Sequence, residues 1–193
     1  PVITFTGSGS TSPYIFSYNI NGGATLTVTS TGNTATVIVP TGTPGTYVYN
    51  LLSVSDASST TCSQLQSGSA TVIVHPLPTA GFNFSAPLCE ELTVDFTDIS
   101  VANVGSLISW AWDFGDPSSG TFNTSSIQNP SHTFSSAGTY TVSLVTTNDK
   151  GCANPVFTRQ VIIKPKPLAG FIVPDVCLND TYAQFTDTSS VGA

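Results

Sequence analysis

The sequence contains little charge, no methionine and no long apolar run. Charged residues make up 8% of its 193 residues, against roughly 25% in an average soluble domain. No apolar stretch approaches the roughly 20 residues that a membrane-spanning helix needs, so we expect no membrane insertion in this segment. Val, Ile, Tyr and Phe are nevertheless frequent and regularly spaced, which excludes a disordered chain.

Basic residues are nearly absent, and this excludes a class of partners. The formal net charge is −7, and the first 149 residues contain no Lys or Arg. The four basic residues lie in one short stretch, as Lys150, Arg159, Lys164 and Lys166. A phosphate backbone is bound by clustered cations. We therefore expect no nucleic-acid partner.

An internal repeat divides the chain. Residues 75–82 (HPLPTAGF) return as residues 164–171 (KPKPLAGF), and Phe96-Thr97-Asp98 returns 89 residues later as Phe185-Thr186-Asp187. Each copy opens with a Pro-x-Pro segment, in which proline fixes φ and removes a backbone donor. Such segments are typical of extended, stiff linkers.

The repeat predicts three modules joined by two linkers. Residues 1–75 form an immunoglobulin-like repeat that we expect to lack its first strand, and residues 76–79 form a Pro-rich linker. Residues 80–164 form a complete module, followed by a second Pro-rich linker at 165–168. Residues 169–193 are then the truncated start of another module of the same kind.

Apolar residues within the modules alternate with polar ones. Examples of residues sharing one face are Leu92, Val94 and Phe96, then Ile108, Trp110, Trp112 and Phe114, then Tyr140, Val142 and Leu144. Glycine and proline separate these runs, and no stretch has a helical period with caps. The pattern predicts an all-β chain of tandem immunoglobulin-like β-sandwiches.

Three blocks in the middle module carry a family resemblance. They are residues 110–116 (WAWDFGD), 129–134 (NPSHTF) and 137–144 (AGTYTVSL). The series resembles the PKD (polycystic kidney disease) domain family, whose signature is W-D-F-G-D-G, N-P-x-H-x-Y/F and G-x-Y-x-V-x-L. Pro117 replaces the last Gly of the first block, and an insertion follows it. We interpret this departure as a different turn within the same fold.

The first module resembles the immunoglobulin-like repeats that stand beside PKD domains in giant surface proteins of Bacteroidetes. Its Gly45-Thr46-Tyr47 parallels Gly138-Thr139-Tyr140 of the middle module. Tyr140 sits at the start of a late strand, as in a tyrosine corner, where the hydroxyl reaches backbone a few residues upstream. We expect Trp112, Phe114, Tyr140 and Tyr47 to belong to the structural cores.

Four cysteines allow three sets of disulfide pairings, and the internal repeat reduces that number. Cys89 lies early in the middle module and Cys152 near its end, so we predict a disulfide between them. The alternative is a pair of buried thiols. Cys62 and Cys177 occupy the corresponding positions of the neighbouring modules, and we expect their partners to lie outside this sequence. A disulfide would indicate an oxidising, extracellular location.

Candidate ligand-binding residues are few. Asp98, Asp113 and Asp116 lie in turns where carboxylates suit Ca²⁺, and some PKD-family members bind calcium. The alternative, which we favour, is that they accept hydrogen bonds from their own turns. Trp110 is the candidate for contact with a glycan, and Glu90 and Glu91 are predicted to be solvated surface. No nucleophile–base arrangement is present, so we expect no catalytic residues and no enzymatic activity.

The sequence therefore predicts a structural segment, a stalk or spacer, of a large secreted or cell-surface adhesin-like or filament protein. Its partners would be neighbouring modules of the same chain, with self-assembly or a surface glycan as further partners. The alternative function is a carbohydrate-binding accessory module of a secreted hydrolase.

Overall fold

The computed structural model describes residues 1–57, 62–176 and 181–191. The chain divides into two compact units, Pro1–Pro76 and Leu77–Ala193. The predicted all-β class is confirmed, since the described elements are strands apart from one 3-10 segment, Pro117–Asn123. Within the described residues, no helix is long and apolar enough to cross a membrane. Cys177 lies outside the described residues, so its predicted position remains untested.

The strands of the first unit are β1 (Val2–Thr6), β2 (Ile15–Ile20), β3 (Leu26–Thr29), β4 (Thr34–Ile38), β5 (Gly45–Ser55) and β6 (Ser63–Val74). They form two antiparallel sheets with the orders β3-β2-β5-β6 and β1-β4. The turn between β2 and β3 contains Asn21 and Gly22, both with positive φ. Glycine adopts that conformation without steric cost, which is why the strand ends at this point.

The PKD-like module of the second unit also has two antiparallel sheets, with the orders β10-β9-β12-β13 and β11-β8-β7. Its strands are β7 (Phe82–Phe84), β8 (Thr93–Asp98), β9 (Leu107–Asp113), β10 (Thr124–Ser125), β11 (Ser131–Thr133), β12 (Gly138–Asn148) and β13 (Phe157–Ile163). The 3-10 segment lies between β9 and β10, and therefore occupies the position of the sequence insertion.

The two modules share one strand order. Each sheet of the first unit has the same strand order as one sheet of the second, and strands β1 to β6 correspond in turn to β8 to β13. The match extends to length, because β5 and β12 both have 11 residues and both begin with Gly-Thr-Tyr. β7 alone has no counterpart in the first unit, whose smaller sheet has two described strands where the second unit has three.

Each module has its own aromatic core. The first core consists of Phe5, Tyr14, Phe16, Tyr18, Ala35, Val39 and Tyr49. The second consists of Phe82, Val94, Phe96, Trp112, Phe114, Phe134, Val142, Leu144, Val161 and Ile163. Most of these side chains come from alternate positions of the strands, because successive residues of a strand point to opposite faces, and the others lie directly beside a strand end, as Tyr14, Val39, Phe114 and Phe134 do.

The remaining strands lie at the start of the third repeat. They are β14 (Pro167–Leu168), β15 (Phe171–Ile172), β16 (Thr186–Asp187) and β17 (Ser190–Val191). Phe171 pairs with Asp187, which repeats the pairing of Phe82 with Asp98 in β7 and β8. The sequence repeat therefore corresponds to a repeat of strand register, while the module boundaries that we assigned remain predictions.

Candidate functional site

A buried polar cluster lies where β9 ends and β11 begins. Asp116 is 1% exposed and His132 is 3% exposed, and the His132 Nε2 atom lies 3.2 Å from Asp116 Oδ2. Ser135 donates twice to the same carboxylate, from its backbone N–H at 2.9 Å and from its hydroxyl at 2.6 Å. The His132 ring stacks on Phe114, with the ring centroids 4.3 Å apart.

The electrostatics of this cluster favour an ionised Asp116. Burial alone would raise the pKa of Asp116, but the two Ser135 donors and His132 together hold that pKa below its usual value. A Ser-His-Asp triad requires a serine hydroxyl on the imidazole. Here the Ser135 hydroxyl donates to the carboxylate instead. The hydrogen bonds of Asp116 with His132 and Ser135 connect the turn after β9 to β11 and to the residues that follow it.

The predicted core residues occupy two kinds of position. Trp112 and Phe114 are fully buried, and the Trp112 indole N–H donates to the Ile127 carbonyl at 3.0 Å. Tyr140 and Tyr47 are half-buried and pack against the edges of the two cores.

Both tyrosines hydrogen-bond to the backbone four residues upstream. The Tyr140 hydroxyl donates to the Ser136 carbonyl at 2.8 Å, and the Tyr47 hydroxyl donates to the Thr43 carbonyl at 2.9 Å. These bonds fix the turn that precedes β12 in one module and β5 in the other. The geometry is that of a tyrosine corner in each module.

The three aspartates considered for calcium accept hydrogen bonds from protein donors. Asp113 Oδ1 accepts from the Gly115 N–H at 2.8 Å, and Asp98 Oδ1 accepts from the Ser100 N–H at 3.0 Å. Across residues 1–57, 62–176 and 181–191, no three His, Cys, Asp or Glu side chains form a group that could hold a metal ion. The carboxylates of Asp98 and Asp113 therefore stabilise their own turns.

Trp110 is half-buried and faces the core side of β9. Its indole N–H donates to Asp98 Oδ2 at 2.7 Å, and Gln128 donates to the same oxygen at 3.2 Å. Trp110 therefore links β8 to β9 through a hydrogen bond. Contact of Trp110 with a glycan stays a prediction.

The predicted disulfide between Cys89 and Cys152 is wrong in this structure, where both residues are free thiols. Cys89 forms a β-bridge with Lys164, which directly follows β13. Cys152 lies in the turn that follows Asn148, and Asn148 is the last residue of β12. The length of β12 separates them by about 30 Å, at about 3.4 Å per residue. A disulfide requires Cα atoms less than about 7 Å apart.

The N-terminal connection of the PKD-like module is hydrogen-bonded to the module. Thr79 and Val101 exchange two backbone hydrogen bonds, of 2.9 and 2.8 Å. The Asn103 side chain donates to the Leu77 carbonyl at 2.7 Å, and Pro78 is buried. The first Pro-x-Pro segment is therefore attached to one end of the sandwich.

The C-terminal connection is attached in the same way. Lys164 donates to the Leu88 carbonyl and accepts from the Glu90 N–H, both at 2.9 Å. The Glu90 carboxylate accepts from the N–H groups of Ala137 at 3.1 Å and of Lys166 at 2.9 Å. Glu91 is exposed, as predicted, whereas Glu90 is half-buried and its carboxylate joins the linker to the module.

The two connections lie at opposite ends of the sandwich. The C-terminal one lies beside Gly138, the first residue of β12, because Gly138 pairs with Ile163. The N-terminal one lies near Asn148, the last residue of β12, whose side chain reaches the Ala102 carbonyl. β12 spans about 30 Å between them.

Sequence reasoning missed the Asp116–His132 pair and the role of Glu90. The partners are separated by 16 residues in the first case and by 47 and 76 residues in the second. Local spacing therefore contains no signal for either contact. The aspartate and histidine did appear in the quoted sequence blocks, but as separate turn and strand residues.

Comparison with known proteins matches the middle of the chain. A family model described as PKD domain matches residues 75–163. The PKD1 domain of Vibrio anguillarum Epp is 35% identical, with a TM-score of 0.41, and the match covers 48% of this chain and 99% of that domain. The PKD1 domain of the Vibrio cholerae metalloprotease PrtV is 28% identical, with a TM-score of 0.38, covering 46% of this chain and 98% of that domain.

The strand order, the aromatic cores and the tyrosine corners define a chain of immunoglobulin-like β-sandwich modules. This chain belongs to the PKD domain family, through residues 75–163.

Proposed function

We propose that this chain is a spacer segment of a large secreted or cell-surface protein, of the adhesin or filament kind, and that it has no enzymatic activity of its own. The observation that carries the proposal is the position of the two linkers. The polypeptide enters the PKD module at one end and leaves at the opposite end, about 30 Å away, and hydrogen bonds hold it at both ends.

Such a path suits a chain that transmits tension along its length. The Cys89–Lys164 pairing is parallel, so pulling the two linkers apart loads the hydrogen bonds of Lys164 together, in shear. The Glu90 carboxylate also accepts hydrogen bonds from the N–H groups of Ala137 and Lys166, and these add to the connection. Breaking them together costs more than opening a hairpin one hydrogen bond at a time.

Single-molecule stretching of the full chain from its two ends tests this function. Unfolding of the PKD module releases a contour length of about 28 nm, from about 3.6 Å per extended residue less the folded length. We expect Glu90→Ala to lower the force of that event, because Ala137 and Lys166 lose their acceptor.

Glu91→Ala is the matched control. Glu91 is the exposed neighbour of Glu90 and contacts only the flexible ammonium group of Lys166 among the described partners. Its loss should leave the force nearly unchanged, because exposed ion pairs contribute little. An unfolding force that is the same in wild type and Glu90→Ala would contradict the proposal.

A second candidate function, carbohydrate binding as an accessory module of a secreted hydrolase, is favoured by one groove. It has a volume of about 590 Å³ and lies between the 3-10 segment and β11. Eight of its lining residues are serines or threonines, and Phe122 beside them is 77% exposed. Exposed aromatic rings and hydroxyl groups are the usual means of binding a sugar face.

Retention of the chain on a polysaccharide affinity gel distinguishes this alternative. If the groove binds glycan, Phe122→Ala should abolish the retention, whereas Trp110→Ala, which removes a ring bonded to Asp98, should not. If no polysaccharide gel retains the chain, carbohydrate binding is excluded and the spacer function is the one that stands.

A further inference from the structure

The groove between the 3-10 segment and β11, which we refer to as the β11 groove, contains a nitrogen atom that the fold does not use. His132 is 3% exposed and lines this groove. Its Nε2 atom contacts Asp116 Oδ2, whereas its Nδ1 atom has no hydrogen-bond partner among the described residues. The one fully buried side-chain polar atom without a partner, among those same residues, is the Tyr49 hydroxyl. Nδ1 is therefore not sealed in the core, and it reaches the groove.

The orientation of the His132 ring is fixed on three sides. The ring stacks on Phe114 with 4.3 Å between the centroids and 7° between the planes, and Phe134 meets it edge-on at 4.6 Å. Asp116 is ionised, because Ser135 donates to it twice, so the Nε2 atom that faces this carboxylate carries the proton. In the neutral ring, Nδ1 then presents a lone pair that accepts a hydrogen bond from a ligand.

Two hydroxyl groups of the β11 groove are also available to a ligand. Of the eight serines and threonines that line the groove, six already hydrogen-bond to protein groups, namely Thr93, Ser119, Ser125, Ser131, Thr133 and Ser135. The side chains of the other two, Thr121 and Thr124, are exposed and have no hydrogen-bond partner among the described residues. A hydroxyl both donates and accepts, so these two groups complement the acceptor on His132.

The groove offers nothing to neutralise a charged ligand. Among the described residues that line it, none is Lys, Arg, Asp or Glu. A carboxylate or sulfate group in this position would face the Nδ1 lone pair, with the ionised Asp116 behind the ring. Desolvating an unpaired charge is costly. The exposed ring of Phe122 supplies the apolar surface of the groove, so the site suits an uncharged molecule with several hydroxyls and one apolar face.

We propose that the β11 groove binds an uncharged sugar unit of a glycan, with one sugar hydroxyl donating to His132 Nδ1. Thr121 and Thr124 bond to neighbouring sugar hydroxyls, and Phe122 packs on the face of the sugar ring. This inference rests on the second candidate function, and it adds the class of sugar and the residues that select it. Acidic sugars are rejected, because neither His132 nor the threonines can compensate their charge.

NMR titration of the full, ¹⁵N-labelled chain with tetrasaccharides tests the proposal. The neutral probes are cellotetraose, laminaritetraose, mannotetraose and chitotetraose, and the acidic probe is tetragalacturonate, which has the same number of rings. At least one neutral probe should bind and shift the ¹⁵N signal of His132 Nδ1, because that lone pair then accepts a hydrogen bond. Tetragalacturonate should bind at least about tenfold more weakly.

Single hydroxyl deletions locate the contact within the groove. Thr121→Val and Thr124→Val keep the shape of the side chain, and each should weaken binding of the neutral probe about fivefold to tenfold. Thr133→Val is the matched control. Its hydroxyl also lines the groove but is already shared with Thr93, at 3.0 Å, so its loss should change the affinity less than about twofold.

The outcomes separate this proposal from the candidate function beneath it. A neutral probe that requires Phe122 for binding but leaves the His132 Nδ1 signal unmoved overturns the proposal, while carbohydrate binding stands. Equal affinity for tetragalacturonate, or equal weakening by Thr133→Val, overturns it as well. If none of the probes binds, the proposal and the candidate function fail together, and the spacer function is untouched.

Discussion

The two modules of this chain share a strand order but differ in how their sandwiches are completed. In the PKD module, β7 pairs with β8 and seals the core with Phe82. In the first module no described strand pairs with the equivalent edge, on β1, and the small sheet has two described strands. The described residues of the two modules therefore share a topology and differ by this one strand.

The modules differ as much in their buried polar groups. The PKD module buries Asp116 and His132 with hydrogen-bond partners on both side chains. The first module buries the Tyr49 hydroxyl without one. Satisfied polar groups make a core specific, while an unsatisfied one costs stability. The first module also buries Asp56, whose carboxylate accepts from Ser10 and from the Cys62 N–H, so the contrast lies in the Tyr49 hydroxyl alone among the described residues.

Removal of the Asp116 carboxylate should produce the largest effect. Asp116→Ala leaves His132 and both Ser135 donors without their acceptor, and we expect the PKD module to lose about 3 kcal/mol of unfolding free energy. Urea unfolding followed by tryptophan fluorescence measures this directly, because both tryptophans, Trp110 and Trp112, lie in the PKD module.

Asp113→Ala serves as the control for that substitution. Asp113 is exposed and accepts one hydrogen bond from the Gly115 N–H in its own turn and one from the Asn123 side chain, so we expect a loss of about 1 kcal/mol. Equal losses in the two variants would mean that burial of the Asp116 pair adds nothing.

Acid should weaken the PKD module through the same carboxylate. The pKa of Asp116 lies below its unfolded value of 3.8, so its contribution is full above that value and is lost as the pH falls through the lower, folded pKa. Glu90 also has a lowered pKa, chiefly because the N–H groups of Lys166 and Ala137 donate to it. Wild type must therefore be compared with Asp116→Asn.

The stability difference between wild type and Asp116→Asn should be constant from about pH 5 to pH 7 and should shrink below about pH 4. Urea unfolding at each pH, again followed by tryptophan fluorescence, gives this difference. A difference that is independent of pH down to pH 2.5 would show that Asp116 is not ionised in the folded module.

Smaller effects of opposite sign are expected at two tyrosines of the first module. Tyr47→Phe removes the hydrogen bond to Thr43 and should cost about 1 kcal/mol. Tyr49→Phe removes a buried hydroxyl that has no partner and should stabilise the dilute chain by up to about 1 kcal/mol. Tyrosine-detected thermal unfolding of each variant measures both, and destabilisation by Tyr49→Phe would mean that its hydroxyl is bonded in solution.

Much of the fold was accessible from the sequence. The period of two in the strands and the repeat of Ala-Gly-Phe predicted sandwiches with related registers, because both signals are local. The parallel between Gly45-Thr46-Tyr47 and Gly138-Thr139-Tyr140 likewise indicated a shared corner. These features depend on backbone alternation and turn geometry, which neighbouring residues determine.

The site was less accessible, for a physical reason. Whether Cys89 meets Cys152 depends on which end of the sandwich each loop reaches, and a position early or late in a module does not determine this. The role of Glu90 was missed because the N–H donors to its carboxylate belong to Ala137, just before β12, and to Lys166 in the linker, far away in sequence. Contacts of that kind follow from sheet assembly and leave no local pattern.

Residue-resolved amide hydrogen exchange on the dilute chain most directly tests the contrast between β8, which pairs with β7, and the equivalent edge on β1, where no described strand pairs. The Ile99 N–H next to β8 donates to the Gly81 carbonyl at 2.9 Å, and we predict that it exchanges slowly. The Thr4 N–H on β1 points away from β4, on an edge where no described strand pairs, and we predict that it exchanges at close to the free rate while Phe5, bonded to β4, is protected. Equal protection of Thr4 and Ile99 in the dilute chain would contradict the account.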